Sequence, residues 1–399
     1  MPDGRQVLIV GGGPVGLTVA LRLGSMGIRC VVLEAELAPQ ADLRASTFHP
    51  PTLDMLDRYG LAAPLIAQGL ISRQWQVRMH ESGENVVFDL DVLAGDTGHP
   101  YRLQCEQARL VSLLTTRLQT MAEVRLRPGF RVEALAQNAD EVRIEARGPD
   151  GQITRETGRL LVAADGARSF VREALGLALH GETYPETTIL ATTRFAFEEH
   201  VPGLSNVNYV WTRAGTYSLL RLPGLWRCSL YPDADETIEE ATRPDAVERK
   251  LQRIVPRDEP YSVMQLRPYR VHRRIVDDFR CGRVLLAGDA AHINSPSGGM
   301  GMNGGIHDAF ALTDCIARMW ETDQLGVLEA YNRSRRPIAA DDILGQADEN
   351  RRRMQERDPV RRRAAFERLQ TIATDRALLH AHLLRSSMIT GLRRAETLL

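Results

Sequence analysis

The sequence predicts an α/β fold that begins with a βαβ unit, continues into an antiparallel sheet and ends in helices. The apolar run Val7–Val10 is followed at once by glycines and then by Pro14, which is typical of a buried strand, a tight turn and a helix. Between 176 and 275, polar and apolar residues alternate and aromatic residues cluster, which indicates antiparallel strands. Beyond 346 the apolar spacing is helical.

The composition is that of an ordinary globular protein, because 43% of the 399 residues are hydrophobic and 25% are charged. The formal net charge of −1 supplies no field that favours nucleic acid as a partner. No apolar run approaches the roughly 20 residues of a membrane span, and the N-terminus leaves no room for a signal peptide. Five scattered cysteines indicate neither a disulfide framework nor a metal site. We therefore expect a cytoplasmic protein without metal, membrane segment or nucleic-acid partner.

The first half of the chain alternates between short strands and helices. A second apolar run at 30–33 ends in Glu34 and closes the βαβ unit. A hairpin is predicted at 75–79 and 86–90, and a helix at 107–120. The strands of a β-meander follow, at 132–135, 142–146 and 152–156.

The second half contains two further buried strands, at 160–164 and 283–287, and a helix from about 303 to 320. Asp358 is a candidate helix start because it precedes a proline. The arginine-rich stretches 351–353 and 361–363 are interpreted as a solvated helix face.

The glycine pattern Gly11-x-Gly13-x-x-Gly16 forms the first candidate site. Gly11 makes the turn, Gly13 leaves space for a diphosphate, and Gly16 lets helix and strand pack closely. The helix N-terminus offers free N–H groups to the anion. Glu34 ends the second strand, where its carboxylate can accept hydrogen bonds from both hydroxyls of an adenosine ribose. The pattern predicts a bound dinucleotide.

A second candidate site is Asp165-Gly166, which ends a buried strand and is followed by Arg168 and Arg172. The alternative is a plain strand-to-helix turn capped by Asp165, with both arginines in solvent.

A third candidate site begins at Gly288-Asp289 and continues through His292 and Pro296 into a glycine-rich loop. The glycines of that loop are Gly298, Gly299, Gly301, Gly304 and Gly305. Asp289 can accept a hydrogen bond from a polyol hydroxyl, and the helix from about Asn303 can stabilise a negative charge at its N-terminus. The alternative is a mobile surface loop.

Together these three sites resemble the flavoprotein aromatic hydroxylases of the para-hydroxybenzoate hydroxylase type, over roughly residues 5 to 345. The resemblance implies that the cofactor is FAD. It implies a Rossmann-like FAD-binding domain from 1–175 and 276–345 with the β-meander inserted, a substrate domain at 176–275 and a C-terminal helical segment at 346–399.

By this resemblance Glu34 holds the adenosine ribose, Asp289 holds the ribitol chain, and the loop from Pro296 to Asn303 lies against the isoalloxazine. Either Gln104 or Arg109 supplies a further contact. The residues implied to contact FAD are Gly11, Gly13, Pro14, Val15, Gly16, Glu34, Ala35, Arg44, Gln104, Arg109, Asp165, Gly166, Gly288, Asp289, Pro296, Gly299, Gly301, Met302 and Asn303.

The family reaction implies that NADH or NADPH reduces FAD and that O2 adds at flavin C4a. The resulting hydroperoxide would hydroxylate a phenolic, amino-aromatic or N-heteroaromatic substrate. The residues predicted to act in catalysis are Pro296, Tyr217, Arg221 and His49, with Tyr209 and Tyr231 behind them. The alternatives are that the tyrosines only pack, that Arg221 is a surface arginine and that His49 is a loop histidine.

Other functions remain open at this point. Related flavoenzymes act as alkene epoxidases or isoprenoid reductases, and a non-catalytic FAD-binding regulator is a third reading. Halogenase chemistry is disfavoured because it needs an active-site lysine, and Lys250 is the only lysine in the chain. The C-terminal helices could form the interface of a homodimer.

Overall fold

The computed structural model describes residues 6–38, 45–233 and 235–398. The strands of these residues, in chain order, are β1 Val7–Val10, β2 Cys30–Glu34, β3 Thr47–Phe48, β4 Leu70–Ser72, β5 Gln74–Met79, β6 Asn85–Asp89, β7 Arg102–Gln104, β8 Val124–Pro128, β9 Arg131–Gln137, β10 Val142–Arg147, β11 Ile153–Gly158, β12 Leu160–Ala163, β13 His180–Thr193, β14 Val207–Thr212, β15 Gly215–Leu222, β16 Leu225–Leu230, β17 Val263–Ile275, β18 Arg280–Cys281, β19 Val284–Leu286 and β20 His292–Ile293.

The helices occupy the gaps between sheets and most of the C-terminal part. In chain order they are α1 Pro14–Ser25, α2 Pro50–Asp57, α3 Ala62–Ile66, α4 Gln107–Leu118, α5 Phe170–Ala174, α6 Phe197–His200, α7 Ile238–Ala241, α8 Pro244–Gln252, α9 Gly301–Thr322, α10 Glu329–Pro337, α11 Gly345–Gln355, α12 Pro359–Thr374, α13 Arg376–Ser386 and α14 Ile389–Thr397.

The first sheet, which is mostly parallel, has the strand order β18-β19-β12-β1-β2-β8 among the described residues. Its central strands run parallel, with Val7 beside both Cys30 and Leu160. Both faces of β1 and β12 are buried, which explains why these strands read as unbroken apolar runs. The parallel order brings the carboxyl ends of β1, β2, β12 and β19 to one edge, where the three candidate sites lie.

The β-meander forms a separate sheet in the order β11-β10-β9. All of its strand pairs are antiparallel. The α/β fold class with an inserted meander is therefore confirmed.

The larger sheet has the order β20-β17-β13-β16-β15-β14-β5-β6. It is antiparallel except between β14 and β5, which pair in parallel. The predicted hairpin, now β5 and β6, thus extends this sheet rather than the parallel one, although its residues fall within the range 1–175. The domain boundaries stay a prediction.

The C-terminal helices pack against one end of the larger sheet. Phe366 and Leu369 of α12 and Leu383 of α13 share a buried cluster with Trp75 and Trp211. The apolar side chains of these helices are therefore buried against the larger sheet of the same chain. None of the helices in the described part of the chain combines the length and apolarity that a bilayer crossing requires.

Candidate active site

The glycine turn after β1 places two segments of backbone in direct contact. Gly11 has a φ of +108°, and a Cβ at this position would collide with the carbonyl oxygen of Ala164. A Cβ on Gly16 would collide with the carbonyl oxygen of Gly11. Pro14 opens α1 and Val15 follows it, whereas Gly13 has open space beside it. The turn therefore leaves room for a ligand only on the outer side of Gly13.

The carboxylate of Glu34 lies against this turn. Its Oε2 accepts a hydrogen bond from the Gly12 backbone N–H at 2.6 Å, and its Oε1 accepts one from the Glu36 N–H at 2.8 Å. Ala35 follows directly on β2. Arg44 lies outside the described residues.

The Asp165 turn is tied to the Gly288 turn by an arginine. Oδ2 of Asp165 accepts from the Val171 N–H at 3.1 Å, while burial raises the pKa of Asp165. The Arg172 guanidinium is 5% exposed and donates to the carbonyls of Ala167 and Ala290. The alternative in which Arg172 lies in solvent is therefore wrong, although Arg168 is exposed.

Beneath the Gly288 turn lies a buried ionic cluster that the sequence analysis did not find. Asp308 of α9 accepts hydrogen bonds from the Gly288 N–H at 3.1 Å and from Arg335 Nε at 2.9 Å. Its Oδ2 is 2.7 Å from His292 Nε2. Burial alone would raise the pKa of Asp308, but its contacts with His292 and Arg335 outweigh burial and hold that pKa well below its usual range. His292 therefore helps to hold the Asp308 carboxylate in place.

The loop after Pro296 is held by the Asn303 side chain. Nδ2 of Asn303 donates to the carbonyls of Thr47 and Gly299, and Oδ1 accepts from the His49 N–H at 2.9 Å. Helix α9 begins at Gly301, so Met302 and Asn303 lie in its first turn, while Pro296 is exposed. Because Asn303 bridges three segments, the loop is fixed against β3 rather than mobile.

His49 faces the same loop with a fully buried imidazole. Its Nε2 is 2.8 Å from the Gly298 carbonyl oxygen, so Nε2 carries the proton and Nδ1 carries a lone pair. Nδ1 is buried and has no hydrogen-bond partner among the described residues. Burial and the nearby Arg102 charge lower the pKa of His49 to about 3.

Gln104 and Arg109 differ in their surroundings. Gln104 is buried beside β3, where its Oε1 accepts from Thr47 Oγ1 at 2.9 Å. Its Nε2 is buried and has no partner in the described part of the chain. Arg109 lies exposed in the first turn of α4. Of the two, Gln104 has the enclosed environment that a cofactor contact requires.

These residues fit a bound dinucleotide. Three turns at the carboxyl edge of one parallel sheet supply a glycine cradle, and polar atoms of Asp165 and Gln104 are buried there without partners among the described residues. Buried polar atoms cost free energy unless they are hydrogen-bonded, and a ligand rich in hydroxyl and ring nitrogen atoms would satisfy them. The fold and this cradle define an FAD-dependent flavoprotein.

Comparison with known proteins gives the family. The model of the FAD binding domain family matches residues 5–344. The chain is 36% identical to para-nitrophenol 4-monooxygenase of Pseudomonas sp. (strain WBC-3) over 98% of its length and 97% of that protein's. It is 33% identical to 6-hydroxy-3-succinoylpyridine 3-monooxygenase of Pseudomonas putida, covering 89% of this chain and 90% of that one. The chain belongs to the FAD-dependent aromatic hydroxylase family and is a flavoprotein monooxygenase.

A solved structure supports the same assignment. The crystal structure of a p-nitrophenol 4-monooxygenase from Pseudomonas putida superimposes with a TM-score of 0.90 at 34% identity, covering 98% of this chain and 99% of that one. The similarity therefore extends through the larger sheet and the C-terminal helices.

Tyr217 and Arg221 do not face the flavin loops. Tyr217 lies in a buried cluster with Leu251 and Ile254, on the face of the larger sheet that packs against α8. Its hydroxyl is 2.9 Å from His80 Nδ1, and Arg221 pairs with Glu198. The catalytic interpretation of these two residues needs correction, because alternation along β15 places both side chains on the face of the sheet opposite the one that contacts Ser46.

The opposite face of the larger sheet, here called the inner face, carries the polar groups that reach the N-terminal loops. Nη1 of Arg227 donates to Ser46 Oγ at 3.0 Å. Tyr209 pairs with Ser218, and Ser218 pairs with Ser229, two residues beyond Arg227, so Tyr209 shares this face. Strand register, which was not available from the sequence, would have distinguished Tyr209 from Tyr217.

A separate cleft of about 340 Å³ opens at the end of the larger sheet. Its walls include Tyr217, Lys250 and Arg357 and none of the residues of the three glycine turns. The Lys250 ammonium is 7% exposed and is paired with Glu236 and Asp233. A lysine neutralised in this way, outside the flavin loops, is unsuited to halogenase chemistry.

Proposed function

We propose that this enzyme uses NADH or NADPH and O2 to hydroxylate a phenolic, amino-aromatic or N-heteroaromatic ring. The observation that carries the proposal is the set of polar groups at the loop implied to contact the flavin ring, where His49 contacts Gly298, and Asn350, the acceptor of an Arg353 N–H, adjoins the same glycine. Relatives named as acting on para-nitrophenol and on a hydroxypyridine support the substrate class.

The residues that would hold FAD are the Gly11–Gly16 turn with Glu34 at the adenosine end, and Gln104, Asp165, Asp289 and the loop from Pro296 to Asn303 nearer the ring. When bound, FAD supplies the redox chemistry, by accepting a hydride from the nicotinamide and activating oxygen. The chain itself has to orient the ring substrate and keep water from the reacting atoms.

His49 is placed to orient a substrate hydroxyl. Its Nε2–H is committed to the Gly298 carbonyl, so the Nδ1 lone pair is free to accept a hydrogen bond. Because burial lowers the pKa of His49 to about 3, the ring stays neutral at physiological pH and keeps that lone pair. A phenol donating to Nδ1 would be fixed relative to the loop.

The alternative flavoenzymes are less well supported. An alkene epoxidase or isoprenoid reductase would need an apolar cavity long enough for a hydrocarbon chain. The inner face instead carries Tyr209, and Arg102 and Arg353 lie near it, so that these polar groups would be unsatisfied against such a substrate. A regulator without catalysis would bind flavin but show no substrate-dependent oxidation of NAD(P)H.

The test is consumption of NADH and of NADPH by the FAD-loaded protein in air, with phenols, aminobenzoates and hydroxypyridines, and with peroxide measured in parallel. A ring compound that accelerates oxidation, with less peroxide formed than nicotinamide consumed, supports the proposal. If only alkenes or isoprenoids accelerate oxidation, the aromatic assignment is wrong. A homodimer stays a prediction, and sedimentation velocity of the same sample tests it.

A further inference from the structure

Two arginines from distant parts of the chain lie against aromatic residues of the larger sheet, the buried Arg102 against Trp75 and the partly buried Arg353 against Trp211. We propose that Arg102 and Arg353 form a subsite for a negatively charged oxygen group carried by the aromatic substrate, either a phenolate or a carboxylate. This inference rests on the proposed function, since it assigns the polar end of the same substrate site.

Arg102 lies in β7 and is 4% exposed. Its guanidinium lies over the Trp75 ring, 5.2 Å from the ring centroid, and is near enough to Tyr209 for the two side chains to interact electrostatically. Its Nε is buried and has no partner among the residues that the structure describes. Stacking on Trp75 fixes the guanidinium plane, so the open donor points in a defined direction.

Arg353 approaches the same tyrosine from α11. Its Nη2 donates to Asn350 Oδ1 at 3.0 Å, and the Trp211 indole N–H donates to its backbone carbonyl at 3.0 Å. Burial lowers the pKa of Arg353, and the Arg102 charge acts in the same direction. Nε of Arg353 is also buried without a partner in the described ranges. Arg353 is of intermediate exposure, and Asn350, the acceptor of its Nη2–H, adjoins Gly298 of the glycine-rich loop.

The carboxylates around the two arginines are engaged elsewhere. Glu349, the acid whose charge acts on Arg353, lies 2.8 Å from Arg385. Asp348 accepts from Tyr184 and pairs with Arg351. Within the described residues, neither Arg102 nor Arg353 forms an ion pair with a carboxylate. Two like charges buried together are costly unless an anion lies between them, and guanidinium groups favour oxyanions.

The pair adjoins the candidate active site. Arg102 is close enough to His49 for its charge to lower the pKa of that imidazole, and His49 contacts the Gly298 carbonyl. A ring whose oxyanion lies between the arginines can therefore extend toward the glycine-rich loop. The arginines would hold one end of the substrate and so select which ring position faces the cofactor.

The test compares anionic and neutral ligands by equilibrium dialysis against the FAD-loaded enzyme at pH 8. The ligands are 4-nitrophenol, which is a phenolate at this pH, 4-hydroxybenzoate, and the neutral 4-hydroxybenzamide. The variants are Arg353→Gln and Arg102→Gln, with Arg353→Lys to retain the charge. The matched control is Arg352→Gln, on the same helix, whose side chain is 68% exposed and pairs with Asp348.

Arg353→Gln is expected to raise the Kd of the preferred anion by about tenfold or more, since a hydrogen bond between charged groups is lost. The Kd of 4-hydroxybenzamide should change by less than about twofold. Arg353→Lys should recover part of the loss, and Arg352→Gln should resemble the unmodified enzyme. The anion that binds more tightly shows whether the subsite takes a phenolate or a carboxylate.

Equal weakening of anionic and neutral ligands, or no change in Arg353→Gln and Arg102→Gln, overturns the proposal, as does an unmodified enzyme that binds neither anion. Measurement of turnover distinguishes failure of the subsite from failure of the proposed function. An enzyme that oxidises ring compounds but ignores both substitutions keeps the proposed function and loses the subsite. An enzyme that binds the anions through these arginines but does not oxidise NAD(P)H keeps the subsite and loses the proposed function.

Discussion

Nε2 of His292 lies 2.7 Å from Oδ2 of Asp308, and both side chains are almost entirely buried beneath the Gly288 turn. The same carboxylate accepts from the Gly288 N–H. Asp308 therefore fixes the backbone that precedes Asp289, the residue implied to bind the ribitol chain, without touching the cofactor itself.

Asp308→Asn is expected to lower the free energy of unfolding by about 3–5 kcal/mol, because it leaves the buried Arg335 without its charged partner. Urea unfolding measures the loss, and FAD release on gel filtration reports the effect on the turn. The control is Asp245→Asn. Asp245 pairs with Arg249, and both side chains are exposed, at 66% and 58%, so the change should leave the free energy of unfolding nearly unaltered. Equal losses in both variants would contradict the structural role of Asp308.

Gly11→Ala is expected to raise the Kd for FAD by about tenfold or more, because the new Cβ would push the turn away from Ala164. The quenching of flavin fluorescence on binding measures this Kd. Gly27→Ala is the matched control, since Gly27 also has a positive φ, at +74°, but nothing lies near its Cβ position. That variant shares the backbone strain and should keep its affinity for FAD. An unchanged Kd in Gly11→Ala would argue against close approach at this turn.

Acid is expected to destabilise the protein through buried neutral histidines. Burial lowers the pKa of His307 to about 3, and its Nε2 is 2.9 Å from Thr52 Oγ1. The unfolded chain titrates near pH 6.5, so it binds more protons than the folded chain between these values. The stabilisation is complete above about pH 6.5 and is lost as the pH falls toward 3, at about 1.4 kcal/mol per pH unit.

His307→Asn should remove that contribution, so its unfolding free energy should depend less steeply on pH between 6.5 and 5 than that of the unmodified protein. Urea unfolding at several pH values gives the slopes. His200→Asn serves as the control, because His200 is exposed. If the slope of His307→Asn matches that of His200→Asn, His307 is not the buried neutral group described.

Tyr209→Phe and Tyr217→Phe compare the two faces of the larger sheet with the same chemical change. Tyr209 lies on the inner face, near enough to Arg102 to interact with it electrostatically, so loss of its hydroxyl should lower kcat/KM for the ring substrate by about three- to tenfold. Tyr217→Phe loses only the contact with His80 and should leave kcat/KM within about twofold. Steady-state kinetics with the best substrate measures kcat/KM for both variants. A larger loss in Tyr217→Phe than in Tyr209→Phe would restore Tyr217 as a catalytic candidate.

Apolar spacing and the positions of glycine and proline predicted those elements whose structure depends on residues adjacent in the sequence. The strand, turn and helix at Val7–Ser25 and the α9 helix follow from apolar spacing, glycine and proline. The inner face could not be predicted in this way, because its polarity depends on how β15 is registered against β14 and β16. Arg102 and Arg353 are far apart in the sequence, and only packing of α11 against the sheet brings them together. Arg353 and Arg362 were wrongly assigned to a solvated face, since Nε of Arg353 is buried and Arg362 of α12 is buried with its Nη2 donating to the Gly215 carbonyl.

The position of Arg353 on α11 has a consequence for truncated forms of the chain. The parallel sheet and the glycine turns are encoded before residue 310, whereas the guanidinium of Arg353 and the helices that cover Trp211 are translated last. A chain truncated before α11 would therefore keep the three glycine turns implied to hold FAD and would lack one of the two guanidinium groups proposed to bind the substrate oxyanion.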